Sequence, residues 1–279
     1  MTAKVRVYYV LCLIIILYLF DYADRLVITS FLNSIKQEWS VSDVQLGMLT
    51  GIVNLFVAIF VFPFSILVDR WSRKKMIAIM GLFWSVASLS CAFASNYNHL
   101  LAFRALTGLG EAAYATAAVA LISKFFPRDY RAQHIGIYYA AAPLGAGLGI
   151  ILGGIIAASL GWRYAFGLVA FPGMILAVLF FFIKDYKTLP LNENEQRKGA
   201  VSELYSSVSN ILKIKTLWFV FVAYALVIGV NTSMIDWLTT YFIRYFSLGQ
   251  KVASSISGGT AVLIIVGLSL IHISQGIVR

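Results

Sequence analysis

Two stretches of this sequence set ionisable side chains among apolar ones. "FDYADRLVI", residues 20–28, carries Asp21, Asp24 and Arg25 directly after "VYYVLCLIIILYL", which has no charge. "FRALTGLGEAAYATA", starting at residue 103, carries Arg104 and Glu111. Their spacing of seven puts both on one face of a helix. Buried carboxyl groups can take up and release protons, and guanidinium groups attract anions. Each such group costs at least about 2.5–3.5 kcal/mol to insert into a membrane, so its presence there argues for a role. Glu111 is the first candidate proton carrier, because no helix end offers it a route to water and no fixed partner is legible in the sequence.

The elements that must position these groups are membrane helices. The chain has 279 residues, 60% of them hydrophobic and 12% charged, where a soluble domain carries about 25% charged residues. Apolar runs of roughly the 20 residues needed to cross a bilayer recur throughout. We read eight: 7–30, 43–68, 76–95, 99–124, 132–159, 163–184, 216–246 and 253–273. None shows the alternation of an outer-membrane barrel strand. The basic start and apolar run at the N-terminus lack a small-residue cleavage site, so the run reads as a retained first span rather than a signal peptide. Cys12 and Cys91 lie in apolar segments and read as small buried hydrophobes. No metal-ligand spacing, HExxH or GxSxG motif occurs, so neither a metal nor a cofactor nor an enzyme is expected.

Charge placement sets the topology. With the N-terminus in the cytoplasm, inside loops hold Lys4, Arg6, Arg70, Arg73, Lys74, Lys75, Lys124, Arg128, Arg131, Lys184, Lys187, Arg197, Lys198, Lys213 and Lys215. Outside loops hold only Lys36, Arg163, Arg244 and Lys251. This is the positive-inside pattern of a multi-pass plasma (inner) membrane protein. It accounts for the net charge of +10 through topology and contact with the lipid bilayer, not through nucleic acid.

Depth along the membrane normal follows from 1.5 Å per residue. Asp24 lies about 9 Å from the outer end of the first span, Arg104 about 8 Å from the outer end of the fourth, and Glu111 about 18 Å. Asp24 or Arg25 could then meet Arg104 at one level, with Glu111 deeper, as a charge network lining a cavity. The alternative places Asp21 and Asp24 in the outer headgroup region with Arg25 snorkelling. Asp21 is expected at most at the cavity rim. Gly108 and Gly110 should admit a neighbouring helix closely, as should Gly145, Gly147, Gly149, Gly153 and Gly154 in the fifth span, where Pro143 permits a kink.

Several motifs resemble those of the major facilitator superfamily. "SILVDRWSRKKMI" matches its signature loop at Asp69, Arg70, Arg73 and Lys74, with Ser65 and Ser72 in place of two glycines. "RALTGLG" and "GWRYAF" are similar to further signatures of that superfamily. "DYADR", "DRWSRK", "GLGEAAYAT" and "AAPLGAGLGIILGG" resemble its spinster-like branch. The Gly-Glu-Ala of the fourth span and "KFFPRDYRAQ" also resemble the organic anion:cation symporter branch.

The resemblance implies an all-α fold of two six-helix bundles around a central cavity. The chain would hold the first bundle complete (1–184), a cytoplasmic linker (185–215) and the first two helices of the second bundle (216–267). It implies a monomeric secondary transporter, coupled to protons or another ion. The substrate would be a small-molecule or lipid-like anion: an amphiphile on the spinster resemblance, a sugar acid on the other. A transporter-like receptor is the remaining alternative. The implied roles are proton coupling for Glu111 and Asp24, and substrate binding for Arg25 and Arg104; Tyr114 and, in the second half, Asp236 are read separately, from their polar groups in apolar spans, as further substrate-binding candidates lining the cavity. Asp69, Arg70, Arg73 and Lys74 would form a cytoplasmic gating loop.

The last residues raise a separate expectation. Leu268 to Ile273 read Leu-Ser-Leu-Ile-His-Ile, which CTGTCTCTTATACACATC encodes; that string is the transposon end used in common sequencing libraries. Residues 268–279 are therefore expected to be a non-native tail on a chain with eight of twelve spans, and His272 to be without meaning.

Overall fold

A chain with this little charge and this many long apolar runs can satisfy its backbone in lipid only by closing each run into a helix. The computed structural model describes residues 3–70, 72–183 and 211–277, and among these it contains helices and no strands. The helices are α1 Ala3–Val27, α2 Leu32–Trp39, α3 Asp43–Arg70, α4 Arg73–Cys91, α5 Tyr97–Glu111, α6 Tyr114–Phe125, α7 Arg128–Leu160, α8 Trp162–Phe181, α9 Lys215–Phe246 and α10 Gln250–Ile277. Among the described residues, six stretches are long and apolar enough to cross a membrane: Asp43–Val68, Arg73–Cys91, Tyr97–Phe125, Arg128–Leu160, Trp162–Phe181 and Lys215–Phe246. The first and last of the eight apolar segments read from the sequence fall on α1 and α10.

Local chemistry sets the boundaries. Asn96 caps α5 by accepting from the His99 amide at 2.9 Å, and Ser72 caps α4 by accepting from the Lys75 amide at 3.2 Å. Ser40 closes α2 in the left-handed region at φ 53°. Gly161 turns the chain between α7 and α8 at φ 96°, where a side chain would be strained. The segment "FLNSIKQEW", part of it read as a polar break, instead forms α2, because Leu32 and Ile35 at i and i+3 are both buried.

The fourth span is not one helix. It turns at Ala112 and Ala113, between α5 and α6, within the one apolar stretch read over 99–124.

The chain groups into two units, residues 1–185 with 236–279, and residues 186–235. The sequence reading set its boundary elsewhere, with a new bundle starting at 216. The linker expected at 185–215 lies mostly outside the described residues. In the second unit, residues 215–235 form the first part of α9 and are largely exposed and apolar.

In the first unit, α1 lies along α7 and α8, α4 packs on α5, α6 and α8, α3 runs beside α5, and α10 lies along α7. Glycine permits these approaches. A Cβ at Gly108 would meet the Val53 backbone of α3, and one at Gly110 would come within 2.7 Å of the Trp84 backbone of α4. Helix α7 uses two faces: Gly145 and Gly149 abut the Leu19 and Ala23 carbonyls of α1, while Gly147 and Gly154 abut Gly258 and Ser254 of α10. Trp84, fully buried, fills the space left by Gly173 of α8. The backbone of α10 continues through residues 268–277, whose side chains lie outside the described ones.

At the α2 end of the bundle, polar contacts replace close packing. Arg244 of α9 donates through both terminal nitrogens to the two Asp43 carboxylate oxygens at 2.9 Å and through Nε to Asn33 Oδ1 at 2.9 Å. Lys36 adds a 2.7 Å bond to Asp43. Glu38 of α2 accepts from Trp162 Nε1 at 2.7 Å and pairs with Arg163 at 2.8 Å. The Arg163 and Trp162 hydrogen bonds hold its carboxyl below the usual glutamate range.

Candidate functional site: a buried charge cluster between α1, α4 and α5

The last two turns of α1 and the length of α5 bring together the ionisable groups singled out above. Asp24 and Arg104 are fully buried, and Glu111 is 3% exposed. The helix break immediately after Glu111 and the backbone approaches at Gly108 and Gly110 hold α5 against α3 and α4.

Arg25 Nη2 pairs with Glu111 Oε2; the glutamate side chain is fully buried and the arginine side chain 18% exposed. Arg25 also donates to Asn54 Oδ1 at 3.4 Å and lies 5.1 Å over the Tyr22 ring. Ser88 Oγ of α4 donates to Asp24 Oδ1. Arg104 donates from Nη2 to the Arg25 carbonyl at 3.0 Å and from Nε to the Leu49 carbonyl at 3.3 Å. It attracts Asp24 electrostatically.

The structure changes three details of the sequence reading. Glu111 does have a fixed partner, because the long Arg25 side chain reaches from α1 to the end of α5. Arg104 ties backbone carbonyls of α1 and α3 together while facing Asp24. Asp21, expected at the rim or in the headgroup region, is 2% exposed, because α1 continues to Val27 and α6 and α7 cover that face.

Of the remaining candidates, Tyr114 is fully buried and donates its hydroxyl to the Ile14 carbonyl at 2.6 Å, a tie between α6 and α1. Asp236 is nearly buried and feels both Arg104 and Arg25. Lys74 donates to the Phe181 carbonyl at 2.9 Å, joining the start of α4 to the end of α8, and Arg73 opens α4. The side chains of Asp69 and Arg70 lie outside the described ones. The sequence reading did not single out Ser88; its signal was a hydroxyl in the buried stripe of α4, too common to stand out. Among the described residues no His, Cys, Asp and Glu group could hold a metal ion.

A buried acid–base network inside a helical bundle with small-residue helix contacts is a costly arrangement in a membrane and marks this cluster as the candidate site. The sequence model of the Major Facilitator Superfamily matches residues 14–276, and the chain belongs to that superfamily. It resembles spinster proteins: it is 29% identical over 233 residues to protein spinster homolog 1 of Xenopus tropicalis, covering 81% of this chain and 44% of that protein. It is 27% identical over 262 residues to the hexuronate transporter of Bacillus subtilis, covering 91% of this chain and 62% of that one. Its fold matches the crystal structure of a bacterial homologue of the human lysosomal transporter spinster, in an inward-facing and occupied conformation. The TM-score is 0.80 at 24% identity, covering 94% of this chain and 60% of the other. The chain thus spans about half to three-fifths of the length of these relatives.

Proposed function

We propose that this chain forms the anion- and proton-binding part of a secondary transporter that moves an amphiphilic or organic anion by alternating access. The observation that supports this reading is the Arg25–Glu111 pair, in which the acid is sealed and the base is partly accessible. An anion reaching Arg25 competes with Glu111 for the same guanidinium. A carboxylate that loses its counter-charge in an apolar interior is best accommodated by taking up a proton. Anion and proton binding are then linked through an exchange of Arg25's partner, and such linkage is reciprocal. Asp24, held between Ser88 and Arg104, is the second proton-coupling group, and Arg104 and Asp236 line the same region.

The N-terminus lies in the cytoplasm, as the distribution of basic residues supports, and the protein works as a monomer in the plasma (inner) membrane. The loop of Asp69, Arg70, Arg73 and Lys74 serves as a cytoplasmic latch. A sugar acid is the second reading of the substrate, favoured by the likeness to the hexuronate transporter over 91% of this chain.

The test is uptake into proteoliposomes that carry the whole transporter of which this chain forms part, since these 279 residues alone are expected not to transport, under an imposed pH gradient and offering a long-chain alkyl phosphate and a hexuronate separately. Wild-type uptake should follow the gradient for one of them, and Glu111→Gln should remove that dependence. Gradient-driven uptake by Glu111→Gln would sink the proton assignment. Carriage of neither anion by wild type would sink the substrate reading.

A further inference from the structure

Asp21 is the buried acid that the anion-and-proton scheme leaves unused. Its oxygen Oδ1 has no hydrogen-bond partner among the described residues, although the residue is 2% exposed. Around it stand mostly tyrosines. Tyr18 stacks on Tyr138 at 4.1 Å between ring centroids, and Tyr22, Tyr139 and Tyr114 ring Tyr18 at 5.0, 6.2 and 6.1 Å. The Tyr138 hydroxyl is likewise buried and without a partner among the described residues, and it lies within the electrostatic reach of Asp21.

The charged and titratable groups facing Asp21 can be named helix by helix. Helix α1 supplies Tyr18, Asp24 and Arg25; α5 supplies Glu111; α6 supplies Tyr114; and α7 supplies Tyr138, while Tyr22 and Tyr139 pack on Tyr18 behind them. Charge counting then decides. Asp21, Asp24 and Glu111 are three carboxyls for two guanidiniums, Arg25 and Arg104, and Asp236 adds a fourth carboxyl at the edge. Arg25 is directed at Glu111, and Arg104 faces Asp24, which also has the Ser88 hydroxyl. Asp21 is left without a directed cation. An isolated buried carboxylate is far costlier than a neutral acid in the same place.

We propose that Asp21 holds a proton inside this tyrosine enclosure, as a further proton-carrying group distinct from the arginine-paired Glu111 and from Asp24. The proposal deepens the transport reading above: release breaks the carboxyl O–H bond and passes the proton to water when the enclosure opens, leaving a carboxylate. It makes the cluster able to carry more than one proton per cycle.

The purified chain in lipid nanodiscs tests this by infrared spectroscopy at neutral pH, reading the C=O stretch of a protonated carboxyl and its shift in heavy water. Wild type should show the band; Asp21→Asn, which has the shape of the neutral acid, should lose it. Asp24→Asn, Glu111→Gln and Asp236→Asn should each retain it. A band unchanged in Asp21→Asn overturns the proposal, as does its absence from wild type, including the case where sodium instead raises thermal stability in an Asp21-dependent way. If Asp21→Asn does not fold, the other three variants decide: retention in all supports Asp21, and loss in any one overturns it. Because the band reports the resting protein and no flux, this result is separable from failure of the transport reading.

Discussion

Arg25 and Glu111, eighty-six positions apart in the chain, form an ion pair whose acidic member is sealed from solvent and whose basic member is not. This asymmetry has an energetic signature. Truncating Glu111 leaves a guanidinium largely desolvated with no counter-charge, so Glu111→Ala should lower stability by about 3–5 kcal/mol. Replacing both members with Met should recover most of that loss. Denaturation of the two single variants and the double variant in detergent checks it; additive losses would show that the two residues are not energetically coupled.

Helix α7 gives opposite expectations for one chemical change. A methyl at Gly149 runs into the Ala23 backbone, and neither backbone can step aside. Gly149→Ala should therefore cost about 1–3 kcal/mol or more through overpacking. Gly136, in the same helix, has nothing within 4 Å of its would-be Cβ. Gly136→Ala should stabilise by about 0.5–1 kcal/mol through helix propensity alone. Thermal unfolding of the two variants side by side measures both.

The Arg244–Asp43 contact is bidentate but partly exposed, with side chains 34% and 48% accessible. Its contribution should stay at or below about 1 kcal/mol and shrink with salt. Arg244→Ala should thus narrow its gap to wild type as ionic strength rises. A gap that does not move with salt would point to packing by the arginine stem instead.

Glu38 supplies a pH dependence. Its folded carboxyl is held below the usual range by Arg163 and Trp162. The stabilisation is therefore complete above the ordinary value near 4.5 and is lost as pH falls below it through the folded value. Exposure keeps the effect below about 1 kcal/mol. Glu38→Gln should remove this part of the acid-side loss in a stability-versus-pH series while leaving the neutral-pH slope unchanged.

The sequence displayed the fold more fully than the site. Long apolar runs leave the backbone no alternative to helix, so all eight were legible, as were the close approaches at Gly108, Gly110, Gly145 and Gly149. The break at Ala112 and Ala113 was hidden, because two alanines signal helix and no glycine or proline marks the spot. Depth arithmetic put Asp24 and Arg104 at one level, and in the structure the two do act on each other. It carries no information about lateral placement, and lateral placement is what pairs Arg25 with Glu111 and sets Ser88 on Asp24. Asp21 was undervalued for the same reason: its burial comes from α6 and α7, which no count along α1 can register. Tyr114 was read as a cavity group, but the hydroxyl of a fully buried tyrosine goes to the nearest free acceptor, here the Ile14 carbonyl.

The two glycine faces of α7 carry a consequence for mutational tolerance. Between Gly145 and Gly154 the helix has contacts on α1 at one side and on α10 at the other, so a bulkier residue cannot be relieved by rotating the helix about its own axis. Rotation away from one neighbour drives the next glycine into the other. In a saturation scan this segment should therefore behave as a block in which compensating second-site changes come from α1 or α10 and never from within α7 itself.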